Sequence, residues 1–397
     1  MIIESMIDND LYKFSMLQAV LHQHPAAMVE YEFKCRNEDV DFRAYSNKII
    51  GEVNKMCREL RFTKEELEYL GDLRFMKKDT IQFLKLFKFD YDFVNIVCDD
   101  DGELHIRIKG PWLHTILFEV PILSIVSEIY SKDMSQNYEE ANRRTVEKTH
   151  IINELYEEDE MPLMFADFGG RRRHSVKAQE NALQIFKDKC LSRRDNTGLT
   201  GTSNVMFAKM FGLTPIGTMA HEWLQAHQAL YRVAESQFMA LENWAKEYRG
   251  DLGTALSDVI GLKYFLHDFD LFFSKLFDGT RQDSGDPFEY GFSMIKHYEN
   301  MGIDPMTKTI VFSDGLDFTK AIDLLKTFHN KIKVSLFGIG THITNDFDFK
   351  ALQIVLKMTR CNNQPVAKKS DSPGKGMCTD ENYVDYLQRT FDQRLLN

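Results

Sequence analysis

Six times between residues 161 and 341 a short apolar run stops on a polar, glycine-bearing segment: DFGGRRR, GTSN, GTMAH, DGTRQDSGD, SDGLD and GIGT. Helical patterns follow the first five, at about 175–190, 204–211, 221–249, 286–300 and 316–328, and a further segment follows the sixth. Strands that alternate with helices in this way predict a parallel sheet or barrel, because a chain re-enters a sheet in the same direction only through a crossover. In parallel α/β barrels the chemistry gathers where strands end. A succession of polar strand ends therefore points to one shared site.

The first third of the chain reads differently. SMIDNDLYKFSMLQAVLHQHP begins with cap-type residues and then sets Leu11, Phe14, Leu17, Val20 and Leu21 at helical spacing, closing at Pro25. MVEYEFKCR alternates Val29, Tyr31, Phe33 and Cys35 with charged residues, the period of a half-buried strand. Helices are predicted at about 42–60, at 64–70 behind a capping box of Thr63 and Glu66, and near 79–88; VNIVCDDDGELHIRIKG reads as a hairpin turning at Asp99 to Gly102. Mixed elements without alternation predict an N-terminal α+β domain over residues 1–135. A polar helix at about 138–158 opens an α/β barrel domain over 138–359. Residues from about 360 to 397 read as a strand, a turn and a helix that return to the first domain.

Several classes are excluded. A net charge of −11 argues against a general nucleic-acid binder, which needs basic excess to neutralise phosphates. The longest apolar run, WLHTILFEVPILSIV (112–126), is interrupted by His114, Glu119 and Pro121 and is too short to span a bilayer. MIIESMIDND lacks the basic start of a secretory signal, and the six cysteines are scattered without a C-x-x-C pair, so the chain reads as cytoplasmic, with neither zinc nor a disulfide framework.

The strand ends supply the candidate chemistry. GIGTHITND and SDGLD can turn backbone N–H groups towards a phosphate, although neither a Walker A loop nor a full G-x-G-x-x-G is present. In DGTRQDSGDP, Arg281 could grip a carboxylate or phosphate, with Asp283 and Asp286 available for sugar hydroxyls or Mg²⁺; a loop of mutually paired charges is the plain alternative. Of Arg171, Arg172 and Arg173, at most one or two can face a common ligand. Phe168, beside a glycine pair, is either a core ring or a stacking platform. His221 stands where a strand stops and a helix starts. It can be a packed neutral histidine or a nucleophile favoured by the helix N-terminus; a metal site is disfavoured because His227 is not at i+4.

Taken together and in order, MIDNDLYKFSM, DFGGRR, GTSN, PIGTMAHEW, GTRQDSGDP, FSDGLD, FGIGT and KKSDSPGKG resemble the type II phosphoribosyltransferases of NAD synthesis, and among them the nicotinate-using branch. The resemblance implies an α/β domain packed on an irregular, TIM-like α/β barrel. It implies synthesis of nicotinate mononucleotide from nicotinate and 5-phosphoribosyl 1-diphosphate (PRPP) with Mg²⁺, coupled to ATP through a transient phosphohistidine at His221. By the same resemblance Tyr12 and Phe168 sandwich the pyridine, and Thr218 and Arg281 hold its carboxylate. Arg171, Asp283, Asp314, Gly338, Gly340 and Thr341 hold the phosphates and ribose of PRPP. Tyr12 is expected to reach a neighbour's site, implying a homodimer. Ser203 stands where amide-using relatives carry an aspartate, which favours the acid substrate.

Nicotinamide or quinolinate as the base is the nearest rival. A barrel lyase or aldolase using Asp283 or Asp286 as base is more remote, and its Schiff-base form lacks a lysine at these strand ends. A phosphocarrier acting only through His221 would leave Arg281 and Tyr12 unused.

Overall fold

The computed structural model describes residues 1–190, 198–372 and 376–396. Seven strands form one parallel sheet in the order Thr214–Pro215, Gly198–Thr202, Met164–Asp167, Val334–Ile339, Thr309–Phe312, Gly279–Gln282 and Thr254–Leu256. Residues such as Phe165, Phe312 and Phe337 are fully buried, as expected when helices cover a parallel sheet. Ser175, Asn204, Asp286 and Asp317 cap the helices that follow four of these strands, each side chain accepting from first-turn N–H groups. Asp286, a candidate ligand by sequence, is thereby an exposed helix cap.

The sheet curls until its two edges meet. Just beyond edge strand Thr214–Pro215, the Thr218 hydroxyl donates to the Thr254 carbonyl on the opposite edge at 2.8 Å. This irregular closure explains why TPIGTMA is a strand for only two residues. Gly217 is packed on the start of the N-terminal helix, where a β-carbon would lie 2.8 Å from the Tyr12 nitrogen. The segment read as one helix over 221–249 is two, His221–Leu230 and Ser236–Tyr248. The turn between them lets Asn243 donate to Tyr231 Oη and pair with His227 Nε2, satisfying polar groups that a straight helix would leave apart.

A second, antiparallel sheet runs Gln364–Pro365, Ile354–Cys361, Met28–Cys35, Leu104–Pro111, Val94–Cys98. Its strand Ile354–Cys361 is the next strand in the chain after the last barrel strand and pairs with Met28–Cys35, so the chain returns from the barrel to the N-terminal sheet. The C-terminal helix is Glu381–Arg394. In KKSDSPGKG, Pro373, Gly374 and Lys375 lie outside the described residues.

The apolar run at 112 is part of a helical stretch, Trp112–Met134, long and apolar enough by composition to cross a membrane, but 89% of its most apolar window is buried inside the fold. Pro121 sits in the first turn of helix Glu119–Met134, where its missing N–H costs nothing. Against residues 112–118, at the start of this stretch, packs the helix Leu11–Gln23, whose Lys13 is fully buried. The six cysteines are unpaired.

Candidate active site

The acidic turn before the N-terminal helix sorts the arginine triplet. Asp8 holds Arg173 with two bonds of 2.7 and 2.8 Å and accepts from Asn204, all fully buried. Arg172 turns to Gln353 at 2.9 Å. Arg171 alone lines the central cavity, with its guanidinium 5.8 Å from the Tyr12 ring centroid and 3.5–3.7 Å from Glu119 and Asp10. Burial lowers Arg172 to about 10, helped by the adjacent Arg171 and Arg36. Ser203 donates to Asp10 at 2.7 Å, so an aspartate there would confront a carboxylate.

His221 is the first residue of its helix and is almost fully buried. Its Nε2 lies 3.0 Å from Asp258 Oδ1 and 3.3 Å from Asp283 Oδ2. Burial, reinforced by the ammonium of Lys368, lowers its pKa to about 4, so the ring is neutral at pH 7. Asp258 and Asp283 stay ionised: burial opposes this, but His221, Lys368 and Arg281 outweigh it. An ionised carboxylate only accepts, so Nε2 carries the ring proton and Nδ1 keeps its lone pair. Nδ1 has no hydrogen-bond partner among the described residues.

The carboxylates facing His221 are already compensated. Lys368 Nζ lies 2.8 Å from Asp258 and 3.8 Å from Asp283. Ser284 donates to Asp258, and Arg281 Nη2 donates to Asp283 at 2.8 Å. The ligand atoms of His221, Asp258 and Asp283 are close enough to share an ion. Lys368 occupies that position electrostatically, so this donor set does not suit a resident Mg²⁺, which prefers carboxylates left free for it.

Beneath lies a buried triad in which Lys13 reaches Glu119 at 2.6 Å and Glu222 at 2.7 Å. One ammonium cannot fully balance two buried carboxylates. Against burial, Lys13, Lys357 and Arg171 hold Glu119 down at about 2, whereas burial pushes Glu222 up. The triad ties the residue after Tyr12 to the residue after His221.

The cavity is small and brings together Tyr12, Arg171, His221, Arg281 and Asp283 from the sequence-based set. Tyr12 lines the cavity of its own chain. Phe168 lies beyond Arg281, whose guanidinium is 5.5 Å from its centroid. The Tyr12 and Phe168 rings make no ring contact with each other among the described residues. Gly338 is the floor under Phe168, where a β-carbon would sit 2.4 Å from the ring. Gly340 precedes the short helix Thr341–Thr344, and Thr341 is half-buried at its start. Asp314 follows Ser313, which accepts from Arg281 Nε and donates to Asp283. Thr218, at the seam, Asp314, Gly338, Gly340 and Thr341 lie outside the cavity lining.

Sequence reasoning missed Asp258, Lys357, Lys368 and the Lys13 triad. Glu119 inside an apolar run and Lys13 inside an apolar helix were the available signals, since a charge buried in a core must find a partner.

A curled parallel sheet whose strand ends gather arginines, carboxylates and one neutral imidazole defines an α/β-barrel enzyme for anionic ligands. Comparison with known proteins is more specific. The chain matches the nicotinate phosphoribosyltransferase (NAPRTase) family over residues 163–395 and the NAPRTase N-terminal domain over residues 7–127. It is 50% identical over 395 residues to the nicotinate phosphoribosyltransferase of Xanthomonas euvesicatoria pv. vesicatoria, covering 98% of each chain. It is 51% identical over 396 residues to that of Burkholderia mallei, covering 98% of this chain and 97% of the other. The crystal structure of nicotinate phosphoribosyltransferase from Vibrio cholerae superposes with a TM-score of 0.93 at 36% identity over 99% of this chain and 94% of the other. The chain belongs to the nicotinate phosphoribosyltransferase family.

Proposed function

We propose that this protein joins nicotinate to PRPP, giving nicotinate mononucleotide and diphosphate, and that ATP drives the reaction through a phosphoryl group carried on His221. Full-length family membership supports the transferase activity. The observation that carries the ATP coupling is the neutral His221 ring, its proton held on Nε2 by Asp258 and Nδ1 left without a partner beside the cavity.

In the transfer, the bond from the ribose C1 to diphosphate breaks as the pyridine nitrogen bonds to C1. The enzyme's task is orientation and charge compensation. Tyr12 and Phe168 orient the ring. We assign the nicotinate carboxylate to Arg281, whose Nη1 edge makes no bond among the described residues. Thr218 has its hydroxyl proton committed to Thr254 and is left with a structural part. Arg171, with Asp283 and the strand ends of Asp314, Gly338, Gly340 and Thr341, serves the phosphates and ribose. Mg²⁺ enters with the diphosphate as part of the substrate, because the carboxylates beside His221, Asp258 and Asp283, are already paired with Lys368 and Arg281. Phosphorylation of His221 adds negative charge beside Arg171 and Arg281, which alters their hold on PRPP and product. Six unpaired cysteines suit a reducing cytoplasm.

Ser203 supports the acid substrate over nicotinamide. Incubating the protein with PRPP and Mg²⁺ plus nicotinate, nicotinamide or quinolinate, with and without ATP, tests the reading. Mononucleotide from nicotinate, increased by ATP, is expected; product from nicotinamide or quinolinate instead would replace it.

A further inference from the structure

We infer that Lys357 is the counter-charge for the phosphoryl group on His221, a positioning residue held in reserve for that state; this rests on the phosphohistidine reading above. The other cations of the cavity wall already face carboxylates of the protein. Arg171 faces Glu119 and Asp10, and Arg281 is bonded to Asp283 and Ser313. Behind them Lys13 holds Glu119 and Glu222, and Lys368 holds Asp258. Lys357 also lines the cavity, yet its ammonium makes no hydrogen bond or ion pair among the described residues. Lys357 is half-buried; withdrawing part of a charge from water without a partner carries a cost, which a ligand charge that arrives during the cycle offsets.

The fold sets this ammonium beside His221. Lys357 is on strand Ile354–Cys361, and Gln225, one turn along the His221 helix, donates to the carbonyl of the adjacent Met358 at 2.9 Å. The strand and the helix are thereby locked side by side. The groups that bear on Lys357 are Glu119 from its helix, Arg171 from the turn after strand Met164–Asp167, Asp283 from the loop after Gly279–Gln282, and His221 and Lys368. Burial dominates and, with Lys368 and Arg171 opposing Glu119 and Asp283, brings the Lys357 pKa down to about 8.

The Nδ1 lone pair forms the bond to Pγ as the Pγ–O bond breaks and its electrons leave with ADP. The ring retains the Nε2 proton against Asp258, so the ring becomes cationic next to Asp258 and Asp283. The three phosphoryl oxygens then present negative charge to the Lys357 ammonium, a charge-assisted contact absent before transfer.

The test is labelling of the full chain with γ-labelled ATP and Mg²⁺, quenched in base, with acid-labile label counted per chain. Wild type labels, and His221→Asn does not. Lys357→Met lowers the label at neutral pH by about tenfold or more, and Lys357→Arg restores most of it. Wild-type labelling declines as the pH rises through about 8, whereas Lys357→Arg stays flat there. Melting curves establish that both variants are folded. Equal labelling of wild type and Lys357→Met with the same pH profile overturns the role of Lys357. Failure of Lys357→Arg to restore label, with a flat wild-type profile, also overturns it. Absence of label on wild type overturns the phosphohistidine reading itself, and this inference with it.

Discussion

Replacing Lys13 with Met should expose how much the site depends on one buried ammonium. Lys13 has no exposed surface and lies 2.6 and 2.7 Å from Glu119 and Glu222, which are themselves buried. Methionine fills similar volume but leaves the carboxylates without their central cation. Breaking a buried pair by removing one partner costs about 3–5 kcal/mol. An unfolding entropy of about 2 cal/mol/K per residue over 397 residues amounts to roughly 0.8 kcal/mol/K, so the expected fall in melting midpoint is about 4–6 °C. The pH dependence gives a sharper check. In the wild type Glu119 is held at about 2, below its ordinary value, so its stabilising contribution is present above about pH 4.5 and fades as the pH falls towards 2. In Lys13→Met, burial favours the protonated acids, so the variant weakens as the pH rises past about 4.5. The gap between the two should therefore widen from pH 4 to pH 8 when measured by thermal melts in matched buffers. A gap under about 1 °C at pH 8, or one that does not change with pH, would refute the assignment of the triad as an ionic clasp.

Asp258→Asn replaces the acceptor-only carboxylate that fixes the His221 tautomer with an amide that can also donate, while keeping side-chain volume; the ATP-stimulated rate should fall by about a hundredfold or more, measured as ATP-dependent mononucleotide formation. Gly338→Ala brings a methyl into the Phe168 ring at 2.4 Å, so the ring must move; the nicotinate KM should rise several-fold and stability fall by about 1–3 kcal/mol. Ser203→Asp sets a carboxylate against Asp10 and should lower both the melting midpoint and the preference for nicotinate over nicotinamide in paired rate assays.

The barrel was legible because parallel strands covered on both faces write themselves as apolar runs, and the polar strand ends punctuated them. Thr254–Leu256 escaped, since a three-residue strand after Gly253 has too few positions to show a pattern, and Asp258 was lost with it. The end of the helix at Leu230 was equally silent: the turn at Tyr231 follows from contacts with Asn243 in the next helix, and no glycine or proline marks it. Tyr12, Arg171, His221, Arg281 and Asp283 were readable as candidates because each stands in a motif at a strand end or helix start. Their partners were not. Lys13 and Glu222 are 209 residues apart, and Lys357 reaches the cavity only because a strand of the other sheet returns to it. Likewise Thr218 read as a ligand residue in sequence, while the bond of its hydroxyl to Thr254 across the barrel seam left no trace there.

On the proposed function, His221 couples ATP to nicotinate mononucleotide synthesis. The most direct measurement compares wild type with His221→Asn under identical nicotinate, PRPP and Mg²⁺, with and without ATP, following mononucleotide and diphosphate together. Wild type is expected to form both products at a rate that ATP increases, and the variant to lose the ATP effect. Full ATP stimulation in His221→Asn, or no mononucleotide from wild type, would contradict it.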